Sequence, residues 1–259
     1  MKKDHVRIIP VASIIKRREV LSFLGATAAV SFVGCLGGKS TSVKPTATSA
    51  QTPTQAAIST MPSCVVRPQQ TEGPYFIDEK LNRSDIRSDS SDGSLKQGVL
   101  LRLVFHVSQI DGRSCTPLTG AAVDIWHCDA LGVYSDVTDR SFSTVGKKFL
   151  RGYQVTDENG TVEFLTIYPG WYPGRTVHIH FKIRTDSASK QGYEFTSQLY
   201  FDDSLTDQIH AQSPYTDKGQ RSVNNDQDSI FRDDGEQLML QLTEEAQGYR
   251  GLFDIGLQI

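Results

Sequence analysis

Positive charge is scarce in this 259-residue chain once its first 34 residues are set apart. Six of the 27 Lys and Arg lie there, with two of the 30 Asp and Glu, which leaves 21 basic against 28 acidic side chains, a net of −7. An acidic surface repels a phosphate backbone and argues against a nucleic-acid partner. Cysteine is sparse too. Beyond Cys35 there are Cys64, Cys115 and Cys128, enough for one disulfide and one leftover thiol in an oxidising compartment. Cys64 and Cys115 stand in loop-like surroundings and are the preferred pair, though the sequence leaves the pairing open. Long apolar runs are missing: the best, Val20 to Val33, falls short of the ~20 residues of a transmembrane helix. There are no internal repeats and no long helical patterns, so a repeat array or a helical bundle is not expected.

The N-terminus carries an address. Lys2, Lys3, Arg7, Lys16, Arg17 and Arg18 precede an Ala-, Ser- and Gly-rich apolar stretch, the layout of a signal peptide over residues 1–34. Arg17-Arg18 before Val-Leu-Ser-Phe-Leu is the twin-arginine export pattern, and Phe32-Val33-Gly34-Cys35 is similar to a lipobox, in which Cys35 becomes a lipidated mature N-terminus. A plain signal peptide that contains a cysteine is the alternative. Either way the protein is expected to leave the cytoplasm, touching a membrane only through such an anchor. Residues 35–61, rich in Ser, Thr, Ala and Pro, bury too little to offset ordering entropy and are expected to form a flexible tether.

The body, residues 62–259, reads as short strands separated by turn signals: Val99–Val107, Ala122–Cys128, Tyr153–Val155, Thr161–Ile167, Thr176–Ile183, Thr196–Phe201, Gln237–Leu242 and Gly251–Gln258. Asp157-Glu-Asn-Gly160 between two of them has the composition of a hairpin turn. Strands at this spacing, with one short helix around Leu205–Ala211, predict a mainly β fold, a single β-sandwich with long loops.

Chemistry concentrates in Ile167 to Lys182. Strand alternation puts His178 and His180 on one face and Val177, Ile179 and Phe181 on the other. Before them, Pro-Gly-Trp-Tyr-Pro-Gly breaks regular structure and places Tyr168, Trp171 and Tyr172 on a turn able to fold back over the strand end. Paired imidazoles beside phenols are half of a metal site, although His-x-His alone is a weak signal. Tyr134 follows the Ala122–Cys128 strand and is expected at a sheet edge. Gln198, on the strand after the histidines, comes near His178 or His180 if the two strands pair as a hairpin. Alternation from Ile125 turns His127 toward a packed layer, a structural role.

Taken in order, Val-Asp-Ile-Trp-His…Gly-Val-Tyr134, Leu-Arg-Gly…Ile-Tyr-Pro-Gly-Trp-Tyr172, Arg175-Thr-Val-His178-Ile-His180-Phe and Thr-Ser-Gln198-Leu-Tyr-Phe resemble the intradiol ring-cleavage dioxygenases, the family of catechol and protocatechuate dioxygenases. Thr71-Glu-Gly-Pro-Tyr-Phe76 is similar to the family's Gly-Pro-aromatic segment near the active site. The resemblance implies a β-sandwich and a non-haem Fe(III) held by Tyr134, Tyr172, His178 and His180. It implies Arg175 and Gln198 as the polar groups over the substrate, and Tyr172 as the ligand that a catechol displaces and that serves as local base. The reaction implied is cleavage of a catechol ring by O2 between its hydroxylated carbons, giving a muconate-type diacid. Two phenolates with two neutral imidazoles also suit a hard trivalent cation better than a thiophilic one.

Two departures stand out. Only five residues separate Tyr172 from His178, a shorter loop than in the aromatic-degrading members, so a pocket wall is expected to be missing or replaced. The helical segment through which the catechol enzymes dimerise has no counterpart, which points to a monomer or a different dimer. The sequence also admits two rival readings. One is a metal-free prealbumin-like binding module, suggested by Gly120-Ala-Ala-Val-Asp-Ile and Thr156-Asp-Glu-Asn-Gly-Thr. The other is a copper or zinc enzyme.

Overall fold

The computed structural model describes residues 65–185 and 192–259. The expected signal peptide, Cys35, the tether and Cys64 lie outside the described residues. The described residues form nine strands: β1 (Leu100–Asp111), β2 (Ser114–Pro117), β3 (Ala122–Trp126), β4 (Arg151–Val155), β5 (Thr161–Ile167), β6 (His178–Arg184), β7 (Glu194–Tyr200), β8 (Gln241–Glu245) and β9 (Gly248–Gln258). One sheet runs β2-β1-β9-β8 with β5 also on β1, and the other runs β4-β3-β6-β7. All pairings are antiparallel except β1 with β9. The chain is thus a β-sandwich, as its strand spacing predicts.

The sheets meet through alternate side chains. Leu101, Leu103, Phe105 and Val107 of β1, with Phe253 and Ile255 of β9, face Val123 and Ile125 of β3, Ile179, Phe181 and Ile183 of β6, and Leu199 of β7. Phe181 sits at the centre, 5.4 Å from the rings of both Phe105 and Phe253. Each such side chain contributes about 1.5–3 kcal/mol on leaving water.

The one α-helix among the described residues, α1 (Asp203–His210), begins at Asp202, whose carboxylate accepts the Leu205 N–H at 2.8 Å. It braces the turn before the histidine strand: Tyr168 Oη bonds Thr206 Oγ1 at 2.7 Å, and His210 Nε2 lies 3.0 Å from the Pro169 carbonyl.

Some expectations need correction. Asp157–Gly160 is not a hairpin turn, because β4 pairs with β3 in one sheet while β5 pairs with β1 in the other. The turn itself forms, with Asp157 N–H on the Thr161 carbonyl and Gly160 at φ 69°, but it carries the chain between sheets. A local turn signal does not specify which strand becomes the neighbour. β2, four residues with little apolar pattern, has no signal of its own in the sequence. The segment expected as strand Gln237–Leu242 begins as a 3-10 turn, Gly235–Leu238, with β8 following at Gln241. Cys115 is disulfide-bonded and Cys128 is a free, buried thiol.

Candidate metal centre and active site

The outward face of the β4-β3-β6-β7 sheet is where polar side chains collect. Register places Trp126, His180 and Gln198 in one row across β3, β6 and β7, and His178 opposite Tyr200 in the next. The hairpin between β6 and β7 brings Gln198 beside the histidine, as the sequence suggests. Trp126 stacks on His180 with ring centroids 5.1 Å apart and planes 5° from parallel, fixing the imidazole's tilt. The segment 65–82 lies over this face. Gln70 N–H bonds the Thr196 carbonyl, Gln198 Nε2 donates to the Thr71 carbonyl at 2.9 Å, and Phe76 packs on Trp126. Gly73 passes so close that a Cβ there would stand 3.1 Å from His180 Cε1, at a φ of 72° that disfavours any other residue.

Two loops bring the phenols. The one after β3 carries Tyr134, and the one before β6 carries Tyr172. They are pressed backbone to backbone: a Cβ on Gly132 would fall 2.1 Å from the Trp171 carbonyl oxygen, and one on Gly170 2.4 Å from that of Ala130. Arg151, buried on β4, pins the residue after Tyr134 by donating from Nε to Ser135 Oγ at 2.8 Å and from Nη2 to the Ser135 carbonyl at 2.5 Å. Tyr134 is therefore fully buried with Trp126, Cys128 and Val137, rather than lying at an open sheet edge. Tyr168, expected on the same turn as Tyr172, instead points into the main core.

The donor atoms converge. His178 Nδ1 lies 2.7 Å from the Thr176 carbonyl, so Nδ1 carries the proton and Nε2 presents a lone pair. Around that lone pair stand His180 Nε2 at 3.0 Å and Tyr172 Oη at 3.2 Å. The Tyr134 ring adjoins both, with centroids 5.7 Å from Tyr172 and 6.4 Å from His180. Tyr134 Oη is buried with no hydrogen-bond partner, and so is His180 Nδ1. An orphaned buried hydroxyl is costly, at about 1–3 kcal/mol, and a cation at the centre of this group would relieve it.

The protonation states agree with such a cation. Burial holds both imidazoles well below their ordinary range, with Arg175 adding to this for His178, and His178 and then Arg175 adding to it for His180. Burial and the nearby Tyr172 push the Tyr134 phenol well above its usual value; burial raises Tyr172 too, while Arg175 pulls it back. Neutral imidazoles are ready to ligate, whereas the phenols would give up their protons only against a strong positive charge. Among the described residues no group of three or more His, Cys, Asp or Glu converges. The convergence here is of two imidazoles with two phenols, a hard, oxygen-rich set.

Around the donors lies a polar and aromatic rim. Arg175 reaches Gln198 Oε1 through Nη2 at 2.7 Å and Asp228 Oδ2 through Nε at 2.8 Å, while Nη1 stands 3.5 Å from His178 Nε2. Tyr75 stacks on Tyr134 at 4.5 Å, meets Tyr172 edge-on at 6.2 Å and donates to Asp139. It forms an aromatic wall from the 65–82 segment, on a site whose Tyr172–His178 loop is short. Tyr75, Tyr172 and Arg175 are half-buried and the two histidines and Tyr134 fully so, which sets the donors at the floor.

The six residues that the family resemblance implies, Tyr134, Tyr172, Arg175, His178, His180 and Gln198, meet here. His127 does not. Its Nδ1 lies 2.8 Å from the Cys128 carbonyl and its Nε2 2.7 Å from Thr166 Oγ1, in a fully packed setting. Sequence reasoning missed Asp228, Tyr200 and Gln70. Tyr200 was in reach, since alternation from Gln198 puts it on the same face; Asp228 and Gln70 lie in irregular segments without a periodic signal.

Comparison with known proteins bears on this arrangement. A family model described as Dioxygenase matches residues 71–239. The chain is 33% identical to the solved intradiol ring-cleavage dioxygenase of Tetranychus urticae, covering 75% of this chain and 95% of that one, with a TM-score of 0.63. It is 29% identical to the dioxygenase domain of a dioxygenase carbohydrate-binding protein fusion from Streptomyces sp. SirexAA-E, over 75% and 99% of the two chains, with a TM-score of 0.52. Catechol 1,2-dioxygenase 1 of Acinetobacter lwoffii is 27% identical over 165 residues, 52% of this chain and 49% of that protein. The chain thus spans about half the length of the curated relatives it matches, or less. The metal-free sandwich reading is not favoured by any of these likenesses. On the family match over residues 71–239 and the likeness to the solved dioxygenases, the chain belongs to the intradiol ring-cleavage dioxygenase family.

Proposed function

We propose that the chain is a non-haem Fe(III) enzyme that opens the ring of a catechol-type phenol between its two hydroxylated carbons, using O2 and giving a muconate-type diacid. The observation that carries this reading is the meeting of His178 Nε2, His180 Nε2 and Tyr172 Oη within 3.2 Å of His178 Nε2, beside the unpartnered Tyr134 Oη. These four side chains would hold the ion, which when bound supplies a positive centre for both catechol oxygens and draws electron density from the ring.

The chain's own groups then divide the work. Tyr172 is the half-buried phenol of the pair, so it is the one that can swing aside for substrate and accept a catechol proton on Oη. The Arg175 guanidinium, on the same side of the site, stabilises negative charge that develops on the substrate oxygens, an effect strengthened by its partial removal from water. Gln198 holds that guanidinium through Nη2. Trp126 and Phe76 close the site behind His180 and keep water from that side. Both oxygen atoms enter the product and the ring supplies the electrons, so no external reductant is needed.

Oxygen uptake across a panel of catechols, with metal analysis of the same sample, tests this. Uptake with stoichiometric diacid and about one iron per chain is expected. No uptake with any catechol, or copper or zinc in place of iron, would overturn it. We further propose that the protein is exported and anchored at Cys35, supported by the twin arginines and the Val33-Gly34-Cys35 sequence. Mass spectrometry of the membrane fraction should find residues 1–34 absent and Cys35 lipidated; an unmodified Cys35 with the upstream sequence intact contradicts it.

A further inference from the structure

Asp228 has no place in the donor set, yet its carboxylate is fully buried and every lone-pair direction is used. Oδ1 accepts the N–H groups of Ile230 at 2.8 Å and Phe231 at 3.2 Å. Oδ2 accepts Arg175 Nε and the Thr176 N–H, each at 2.8 Å. Burial alone would raise its pKa, but the Thr176 N–H and the Arg175 charge outweigh that and hold it below the ordinary carboxylate range. The turn that carries it is itself fixed: Asn225 donates to the Phe201 carbonyl at the end of β7 and accepts the Thr176 hydroxyl.

A guanidinium is a rigid planar fork, and Nε and Nη2 share one of its edges. That edge is taken by Asp228 at Nε and by Gln198 Oε1 at Nη2. Gln198 cannot turn away, because its Nε2 donates to Thr71 and its Oε1 lies 3.2 Å from the Tyr200 hydroxyl. Two fixed points on one edge, with the covalent link through Cδ as the third, determine the plane. Nη1 is then directed to the ligand side, where it stands 3.5 Å from His178 Nε2.

We propose that Asp228 is a positioning residue that sets the orientation of the Arg175 fork, so that Nη1 meets the oxygens on which charge develops. The role rests on the ring-cleavage reading and adds to it a residue some fifty positions away in the chain. Asp228 builds its own turn through Oδ1 and aims Arg175 through Oδ2, so one carboxylate joins the scaffold to the reacting centre.

A double-mutant cycle separates aiming from turn building. Asp228→Asn keeps an oxygen for Ile230 and Phe231 but puts an amide where two donors point. It should lower kcat on catechol about tenfold, ~1.4 kcal/mol in the barrier, with KM changed less than about threefold and iron content and melting temperature near those of the wild type. In an Arg175→Lys background the same change should cost less than about twofold, since the fork it aims is gone. Equal losses in both backgrounds, or a loss that tracks missing iron, would reduce Asp228 to a structural role and overturn the proposal. If Asp228→Asn does not fold, Asp228→Glu, which keeps the charge and displaces it, is carried through the same cycle with the same two outcomes. Wild-type protein that consumes no oxygen with any catechol overturns the underlying reading, whereas active wild type with additive losses overturns the Asp228 role alone.

Discussion

The two faces of the β4-β3-β6-β7 sheet are built from the same strands and do opposite things. Inward, Val123, Ile125, Ile179, Phe181, Ile183 and Leu199 are apolar, fully buried and free of polar atoms to satisfy. Outward, Trp126, His178, His180, Gln198 and Tyr200 are just as buried, yet Trp126 Nε1 and His180 Nδ1 have no partner. One face gains from every atom it hides; the other hides polar groups, and the two without a partner cost about 1–3 kcal/mol each. A strand therefore separates stability from chemistry by alternation alone, and residues adjacent in sequence should answer to different measurements.

The sharpest way to break this comparison is to exchange the effects. Phe181→Ala removes a ring from the centre of the core and should cost about 3–5 kcal/mol of stability, read from urea unfolding, with little change in the iron content of whatever folds. Retained stability would mean that the inward face is not what holds the sandwich together.

A second effect comes from the packed histidine outside the site. Burial depresses His127 from 6.5 to about 4 in the folded state, although the Cys128 carbonyl opposes the shift. The unfolded chain takes up a proton below pH 6.5 that the folded chain refuses until about pH 4. Stability is thus complete above 6.5 and falls as pH drops through that window, by something on the order of 3 kcal/mol. His127→Gln should flatten this part of the stability–pH curve. An unchanged slope would show that His127 is not the group refusing the proton.

On the outward face, Arg175→Lys should cut turnover about a hundredfold, the size of losing one well-placed donor to a developing anion, while stability and iron content stay close to normal. A point charge does not reproduce the planar fork. Near-normal turnover would take Arg175 out of the reaction. The smallest expected effect is that of Tyr168→Phe, which removes the hydrogen bond to Thr206 and should lower stability by about 1 kcal/mol without altering turnover, because Tyr168 belongs to the main core and not to the site.

Alternation also explains what could be read beforehand. His178, His180 and Gln198 were legible because period two and a neighbouring strand place them together whatever the rest of the chain does. Trp126 falls in the same row, but stacking on His180 needs the β3–β6 register, which no local signal carries. The Asp157–Gly160 turn shows the same limit from the other side: its residues dictate the turn, and the choice of sheet belongs to long-range packing. Tyr134 was legible as chemistry but not as burial, since its enclosure depends on Gly132 and Gly170 letting two distant loops touch. Asp228 left no trace, lying on an irregular turn whose relation to Arg175 exists only in the fold.

The most direct test of the central claim is the visible absorption spectrum of the purified protein, alone and with a catechol added without oxygen. Phenolate donors hold high-lying filled orbitals and ferric iron low-lying half-filled ones, so Tyr134 and Tyr172 as ligands should give a reddish protein. The band should change in Tyr134→Phe, move to longer wavelength when a catechol displaces Tyr172, and return on admission of oxygen. An iron-loaded protein with no visible band, or with one indifferent to both Tyr134→Phe and Tyr172→Phe, would contradict the account.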